Sequence, residues 1–351
     1  MQREEIVAMD ESNNTPSDQQ ITGNGGHLLE VSDLHVEFRT SGGVVKAVNG
    51  VNYILDEGET LAILGESGSG KSVGVEAVMG IVESPPGFVT AGSVKFRGTE
   101  LRGMEEDQLC KIRGHNIAMI FQEAQATLDP GFTVGHQISE MLRLHRGLSK
   151  AEATKKSVEL MDRVQIPFAE ERANDYPHQF SGGMCQRVMI AMALALDPDV
   201  LIADEPTTAL DVTIQAQVMQ LLSELQTETG MGIILITHDM SVIADVADRV
   251  VVMYAGRVVE TGSIHQIFDQ PAHPYTVGLM NCVPRLDRKE DNLNIIPGSP
   301  PNPINLPAGC AFHPRCSLAR ERCLSETPVS AEVGPYHQSA CHFLEEVLVC
   351  L

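Results

Sequence analysis

Residues Gly65 to Ser72 read GESGSGKS, which fits G-x-x-x-x-G-K-[ST], and they join the apolar run "ETLAILG" to the helix-forming run "KSVGVEAVMGIV". No other stretch of the chain narrows the fold as far. A buried strand that ends in glycines and restarts as a helix points free backbone N–H groups and the positive end of the helix at one spot, where an anion is favoured. The loop Gly65, Glu66, Ser67, Gly68, Ser69 and Gly70 would curl around phosphates, Lys71 would reach the β- and γ-phosphates, and Ser72 would ligate Mg²⁺. The pattern specifies nucleotide binding and leaves the reaction open, because kinases, GTPases and many ATPases use it.

The organisation around the loop is α/β. "LLEVSDLHVEF" and "VVKAVNGVNYIL" alternate β-branched and polar residues and predict an antiparallel sheet ahead of the loop, with "GSVKFRG" as a further strand after it. Residues 105 to 195 read mostly as helices, an inserted helical subdomain. The short continuous apolar runs "DVLIADE" and "MGIILITHD" are the pattern of parallel strands covered on both faces, and "TIQAQVMQLLSELQTET" is the crossover helix between them. "RVVVMYAGRVVETG" predicts a hairpin, and Pro-rich text follows from Pro271. These signals divide the chain into a disordered acidic tail over 1–27, a nucleotide-binding domain over 28–284 and a C-terminal extension over 285–351.

Asp204 and Glu205 end the first of those buried strands, the edge where open α/β sheets hold their ligands. An acidic pair at a strand end is ordinarily a solvated surface. Beside a phosphate loop, Asp204 would hold Mg²⁺ and Glu205 would orient and polarise an attacking water.

Composition excludes other classes. The formal net charge of -22 disfavours non-specific nucleic-acid binding, since a phosphate backbone recruits Lys and Arg. No apolar run approaches the roughly 18 to 20 residues of a membrane-spanning helix, so a membrane role must come through partners. The first 27 residues hold five acidic residues and one Arg, unlike a signal peptide, which predicts a cytosolic chain. Eight cysteines there are expected to be free, metal-bound or cluster-bound rather than disulfide-paired.

"FSGGMCQR", Phe180 to Arg187, preceded by "YPHQ" and followed by the acidic pair, "TTALD" and "LITHD", resembles the signature of ABC (ATP-binding cassette) ATPases. The resemblance implies a P-loop ABC ATPase fold: a parallel core sheet, an antiparallel β subdomain, the inserted helical subdomain and a small cysteine-bearing C-terminal segment. By the same resemblance Phe38 would stack on adenine, and Gln122 would sense Mg²⁺ and the attacking water. Ser181, Gly182 and Gly183 would close on the γ-phosphate held by a partner ATPase subunit, Asp211 would lie at that dimer interface, and His238 would contact the γ-phosphate.

Longer stretches, "YPHQFSGGM", "MIAMALALDPDVLIADEPTTALDVTIQAQV", "PAHPYTVGLM" and "IPGSPP", narrow the likeness to the ATP-binding subunits of bacterial dipeptide/oligopeptide importers over roughly residues 28 to 345. That implies two membrane permeases, a second ATPase subunit that is either identical or different, an extracytoplasmic peptide-binding protein, and a peripheral place on the cytoplasmic face of the inner membrane. Importers of nickel or glutathione are the related alternative. A non-transport ABC ATPase of translation or DNA repair is the competing class, which the single cassette and acidic charge disfavour. Cys185 stands where the importer group often has Arg, and reads as a buried inert thiol.

Cys310, Cys316, Cys323 and Cys341 have the spacing C-x₅-C-x₆-C-x₁₇-C, which matches neither zinc-finger pairs nor ferredoxin runs. Four soft ligands in a Gly- and Pro-rich segment still suggest a metal staple. The importer resemblance implies a [4Fe-4S] cluster on these four cysteines. Structural Zn²⁺, with His313, His337 and His342 as substitute ligands, and unligated cysteines both stay open.

Overall fold

The structure is a computed structural model that describes residues 26–208, 210–282 and 296–349. The expected tail over 1–27 falls almost wholly outside the described residues, as do the boundary near residue 285 and Cys350. Twelve strands are present among the described residues: β1 Leu29–Thr40, β2 Gly43–Leu55, β3 Thr60–Leu64, β4 Gly87–Phe96, β5 Thr99–Glu100, β6 Ile117–Ile120, β7 Val200–Asp204, β8 Gly232–Thr237, β9 Arg249–Tyr254, β10 Arg257–Ser263, β11 Ala331–Gly334 and β12 His337–Ser339. They make a four-stranded antiparallel sheet, β2-β1-β4-β5, and an eight-stranded sheet, β11-β12-β10-β9-β3-β8-β7-β6. From β9 to β6 the larger sheet is parallel, and its other members are antiparallel.

The apolar runs of the parallel strands keep a two-residue period even though both faces are buried. Leu61 and Ile63 of β3, Val200 and Ile202 of β7, and Ile234 and Ile236 of β8 enter a core shared with the antiparallel sheet and the helix Lys71–Met79. Their neighbours Ala62 and Leu64, Leu201 and Ala203, and Ile233 and Leu235 enter a second core, shared with the helices Gly182–Ala193 and Val212–Thr229. Each such Leu, Ile or Val contributes about 1.5–3 kcal/mol by leaving water. The central strands are therefore the rigid platform on which the loops at their C-terminal ends are mounted.

One difference from the sequence expectation concerns the span 105–195. It is helical in Glu106–Ile112, Val134–Arg146, Lys150–Arg163 and Gly182–Ala193, but β6 lies inside it and pairs with β7 as the last strand of the core sheet. Four consecutive apolar residues carry no period that separates a buried strand from a turn of buried helix.

The C-terminal extension joins the core sheet directly. β12 pairs with β10 through Glu260 with Ser339 and Thr261 with Gln338. Glu260 is fully buried beneath this junction, where it accepts from the Ala272 and His273 backbone N–H groups at 2.6 and 2.9 Å and lies 2.8 Å from His337 Nε2. No helix among the described residues is long and apolar enough to cross a membrane.

Candidate active site

The phosphate loop bridges β3 and the helix Lys71–Met79, and two of its glycines are required by their surroundings. Gly70 has φ +99°, and a Cβ there would stand 2.2 Å from the Ala47 carbonyl oxygen; at Gly65 it would stand 2.3 Å from the Met253 carbonyl oxygen. Only glycine lets neighbouring backbone approach so closely. Lys71 is buried, and its Nζ donates to the carbonyls of Gly65 at 2.7 Å and Glu66 at 3.0 Å, so it is folded into the curl of the loop. Burial lowers its pKa, against the raising fields of Glu205, Asp204 and Glu66.

Beside the loop, Ser72 Oγ donates to Asp204 Oδ1 at 3.1 Å. A hydroxyl and a carboxylate in contact are the oxygen donors a hard divalent cation takes, so this pair fits Mg²⁺. Burial raises the Asp204 pKa, opposed by the Ser72 hydrogen bond, with Glu205 adding to the rise. A cation at this spot would reverse that balance.

Glu205 has φ +45°, a left-handed conformation uncommon for a non-glycine residue, and its N–H donates to the Ile236 carbonyl at 2.9 Å. The turn carries its carboxylate among three polar side chains. Gln122 Nε2 donates to Oε2 at 3.0 Å, Thr208 Oγ1 donates to Oε2 at 2.8 Å, and His238 Nδ1 lies 3.2 Å from Oε1. Burial works against the charge, but Thr208, His238 and then Lys71 outweigh it, and the pKa falls below the usual glutamate value. The group is thus a carboxylate at neutral pH, the form that accepts a hydrogen bond from water.

Phe38 on β1 lines a cavity of about 280 Å³ together with Glu66, Ser67, Gly68, Ser69 and Gly70. The expected base-stacking aromatic and the phosphate loop therefore share one cleft. Pro300, Pro301, Pro303 and Leu306 of the C-terminal extension line the same cavity; in sequence they fall in a Pro-rich stretch, where "IPGSPP" serves the importer resemblance and none of them is assigned to the nucleotide site. Thr208 is also missed, although it stands inside the quoted "TTALD".

Ser181, Gly182, Gly183 and Asp211 do not line this cleft. Ser181 accepts from the Met184 N–H at 3.4 Å at the start of the helix Gly182–Ala193. Asp211 accepts from the Ile214 N–H at 3.0 Å at the start of the helix Val212–Thr229. The side chains of both are exposed, and a Cβ on Gly183 would meet Ile214 at 2.8 Å, so these two helix starts lie against each other. Cys185 is fully buried, 3.6 Å from the Pro177 carbonyl, with its pKa raised by burial, as expected of an inert thiol.

Cys310, Cys316, Cys323 and Cys341 line one small cavity of about 20 Å³, with His273, Phe312, His313 and His342. Burial raises the pKa of Cys310 and Cys316 and pushes Cys341 up to about 11. Among the described residues, no group of three or more His, Cys, Asp or Glu is placed to hold a metal ion. The thiols converge without making a single-ion site. His337, offered as a substitute ligand, does not line this cavity and instead contacts Glu260.

A strand–loop–helix suited to phosphates, an oxygen pair suited to Mg²⁺ and a held carboxylate just past the end of β7, two strands from β3 in the parallel sheet, define a P-loop nucleotide hydrolase. Residues 48–208 match the family model described as ABC transporter, and residues 259–323 match that of the oligopeptide/dipeptide transporter C-terminal region. A protein of Brucella melitensis named as a peptide import ATP-binding protein is 49% identical over 331 residues, which cover 91% of this chain and 98% of that one. One of Brucella abortus with the same kind of name is 52% identical over 307 residues, 88% of this chain and 92% of that one. Among solved structures, the dimeric post-hydrolysis state of the ATP-binding cassette MJ0796 bound to ADP and Pi is similar with a TM-score of 0.61 and 31% identity, covering 67% of this chain and 98% of that one. cbiO1 of Clostridium perfringens, part of the ABC transporter complex cbiONQ, has a TM-score of 0.59 and 30% identity, covering 69% of this chain and 91% of that one. The chain belongs to the ABC transporter ATP-binding family, in the branch that carries the oligopeptide/dipeptide transporter C-terminal region, and it is an ATPase.

Proposed function

We propose that this ATPase powers import of di- or oligopeptides through two membrane permeases, from a peripheral position on the cytoplasmic face of the membrane. The observation that carries the hydrolytic part is the Glu205 carboxylate, held by Gln122, Thr208 and His238 next to the Ser72–Asp204 pair. Likeness over 91% and 88% of this chain to proteins named for peptide import supports the cargo. An extracytoplasmic peptide-binding protein would deliver it. Nickel and glutathione remain the alternative cargoes.

In this reading the loop N–H groups and Lys71 hold the phosphates, and Phe38 stacks on the base. Ser72 and Asp204, with Gln122 nearby, would hold Mg²⁺, which supplies charge neutralisation on the phosphate oxygens. Glu205 orients the water that attacks the γ-phosphorus, and His238 meets the γ-phosphate. Ser181 and Asp211, which are exposed, and the half-buried Gly182 and Gly183, none of which lines this subunit's own cleft, would complete the site of a second ATPase subunit, identical or not. ATP then joins two subunits, and its hydrolysis releases them.

The four cysteines are read as ligands of a [4Fe-4S] cluster, with Zn²⁺ second. Convergence of all four on one cavity supports a tetrathiolate centre. Each thiolate of such a cluster would bind a different iron, so its ligands would stand wider apart than those of one ion. The cavity is nevertheless tight, and a cluster requires the thiols to spread. Equal iron and acid-labile sulfide in anaerobically purified protein is expected; one zinc per chain would replace the assignment.

The decisive experiment purifies the subunit with its permeases and binding protein and measures uptake in proteoliposomes. ATP-dependent uptake of labelled peptides is expected. Glu205→Gln should keep ATP binding and lower turnover by about 10²-fold or more. Uptake of nickel or glutathione in place of peptides overturns the cargo, and near-normal turnover by the variant overturns the role of Glu205.

A further inference from the structure

Residue Glu66 of the phosphate loop is gripped from outside the loop at two points. Its backbone N–H donates to the Tyr275 hydroxyl at 2.8 Å. Its carboxylate accepts two hydrogen bonds from Arg315, from Nη1 at 2.6 Å to Oε2 and from Nη2 at 3.0 Å to Oε1. Arg315 lies 249 residues further along the chain, inside the cysteine segment, one position before Cys316.

This contact is built rather than incidental. The Arg315 side chain is only 5% exposed, its Nε donates to the Pro297 carbonyl at 2.9 Å, and its guanidinium lies over the rings of Tyr254 and Phe312 at 5.8 and 6.0 Å. Phe312 in turn meets Tyr254 and Tyr275 with centroids 5.2 and 5.4 Å apart. A planar fork held by stacking loses little freedom when it pairs with a carboxylate, and paired hydrogen bonds to charged partners are among the stronger polar contacts. The Arg322–Glu326 pair, by contrast, is more than half exposed on both sides, at 57% and 58%.

The grip bears on the nucleotide through one further contact. The Glu66 carbonyl is one of the two that receive Lys71 Nζ, so the position of Glu66 sets where that lysine sits before phosphates arrive. The same extension lines the cleft with Pro300, Pro301, Pro303 and Leu306, in one cavity with Phe38 and Glu66.

We propose that Arg315 is a positioning residue for ATP binding, fixing the phosphate loop through Glu66 so that the cysteine-bearing extension is a working part of the nucleotide site. The inference rests on the nucleotide reading of the cleft. A displaced loop weakens ground state and transition state alike, which raises KM and spares kcat. Arg315 also ties its own segment together, so two variants are compared. Glu66→Gln severs the charged fork while leaving Arg315 its contacts with Pro297, Tyr254 and Phe312. Arg315→Met removes the fork from the other side.

The assembled transporter is assayed for ATPase over a range of ATP concentrations. Each variant is expected to raise the KM for ATP about tenfold, with kcat changed by less than about twofold. Arg315→Lys should recover part of the loss, and the double variant should be no worse than either single one, because both act on one contact. An unchanged KM in Glu66→Gln, or additive losses in the double variant, overturns the inference. A purely structural Arg315 would lower the melting temperature and the active fraction at unchanged KM. Wild-type protein that binds no ATP would overturn the nucleotide reading itself, a result distinct from normal binding with an unmoved KM.

Discussion

Glu205 illustrates how a single side chain is tuned by neighbours distant in sequence. Burial alone would raise its pKa, and the hydrogen bonds from Thr208 and the His238 ring reverse the sign. A base of this kind acts while ionised and is lost as pH falls through its folded pKa. Removing a hydrogen bond to the charged form raises that pKa, so Thr208→Val is expected to move the acid limb of the kcat profile to higher pH. A pH–rate profile for the two proteins checks this, and a shift to lower pH would contradict it. The pair "DE" was legible as a candidate because it ends a buried strand, and "TTALD" put Thr208 within three residues. The left-handed turn at Glu205 was not legible, because φ there depends on the Glu205 N–H reaching Ile236 on the adjacent strand β8.

At the scale of elements, local pattern and local chemistry agreed for β3, the phosphate loop and the helix Lys71–Met79. Period, glycine placement and helix start all pointed to one structure. The tightness of that turn yields a second expectation. Gly70→Ala would force a Cβ to 2.2 Å from the Ala47 carbonyl at φ +99°, which should cost about 2–3 kcal/mol and abolish measurable ATP binding. Thermal unfolding and nucleotide titration on the purified variant check it, and wild-type affinity would mean the loop can relax. β6 is the opposite case. Its four residues, Ile117–Ile120, lie among helices in sequence, and only pairing with β7 makes them a strand.

For the whole molecule, the extension over 296–349 is stitched to the core through the β10–β12 pairing, the Glu260–His337 contact and the Arg315 fork onto Glu66. His337→Ala would remove one of the two contacts of the buried Glu260 Oε1, which keeps the Ala272 N–H, while Oε2 keeps the His273 N–H. A loss of about 1 kcal/mol follows, the net worth of one hydrogen bond where the acceptor keeps another donor. Denaturant unfolding measures it, and an unchanged midpoint would show that the junction is held by the sheet alone. Sequence alone dictates the nucleotide loop, the strands β3, β7 and β8 and the acidic pair, because each is written in contiguous residues whose spacing and turn chemistry act locally. It also supplied the four thiols without their arrangement. Tertiary structure alone decided that Pro300 to Leu306 wall the nucleotide cleft, that the four cysteines converge on one cavity, and that Arg315 reaches Glu66 across 249 residues. Contacts between segments so far apart depend on how the sheet and extension pack, and no period or local turn in the sequence encodes them.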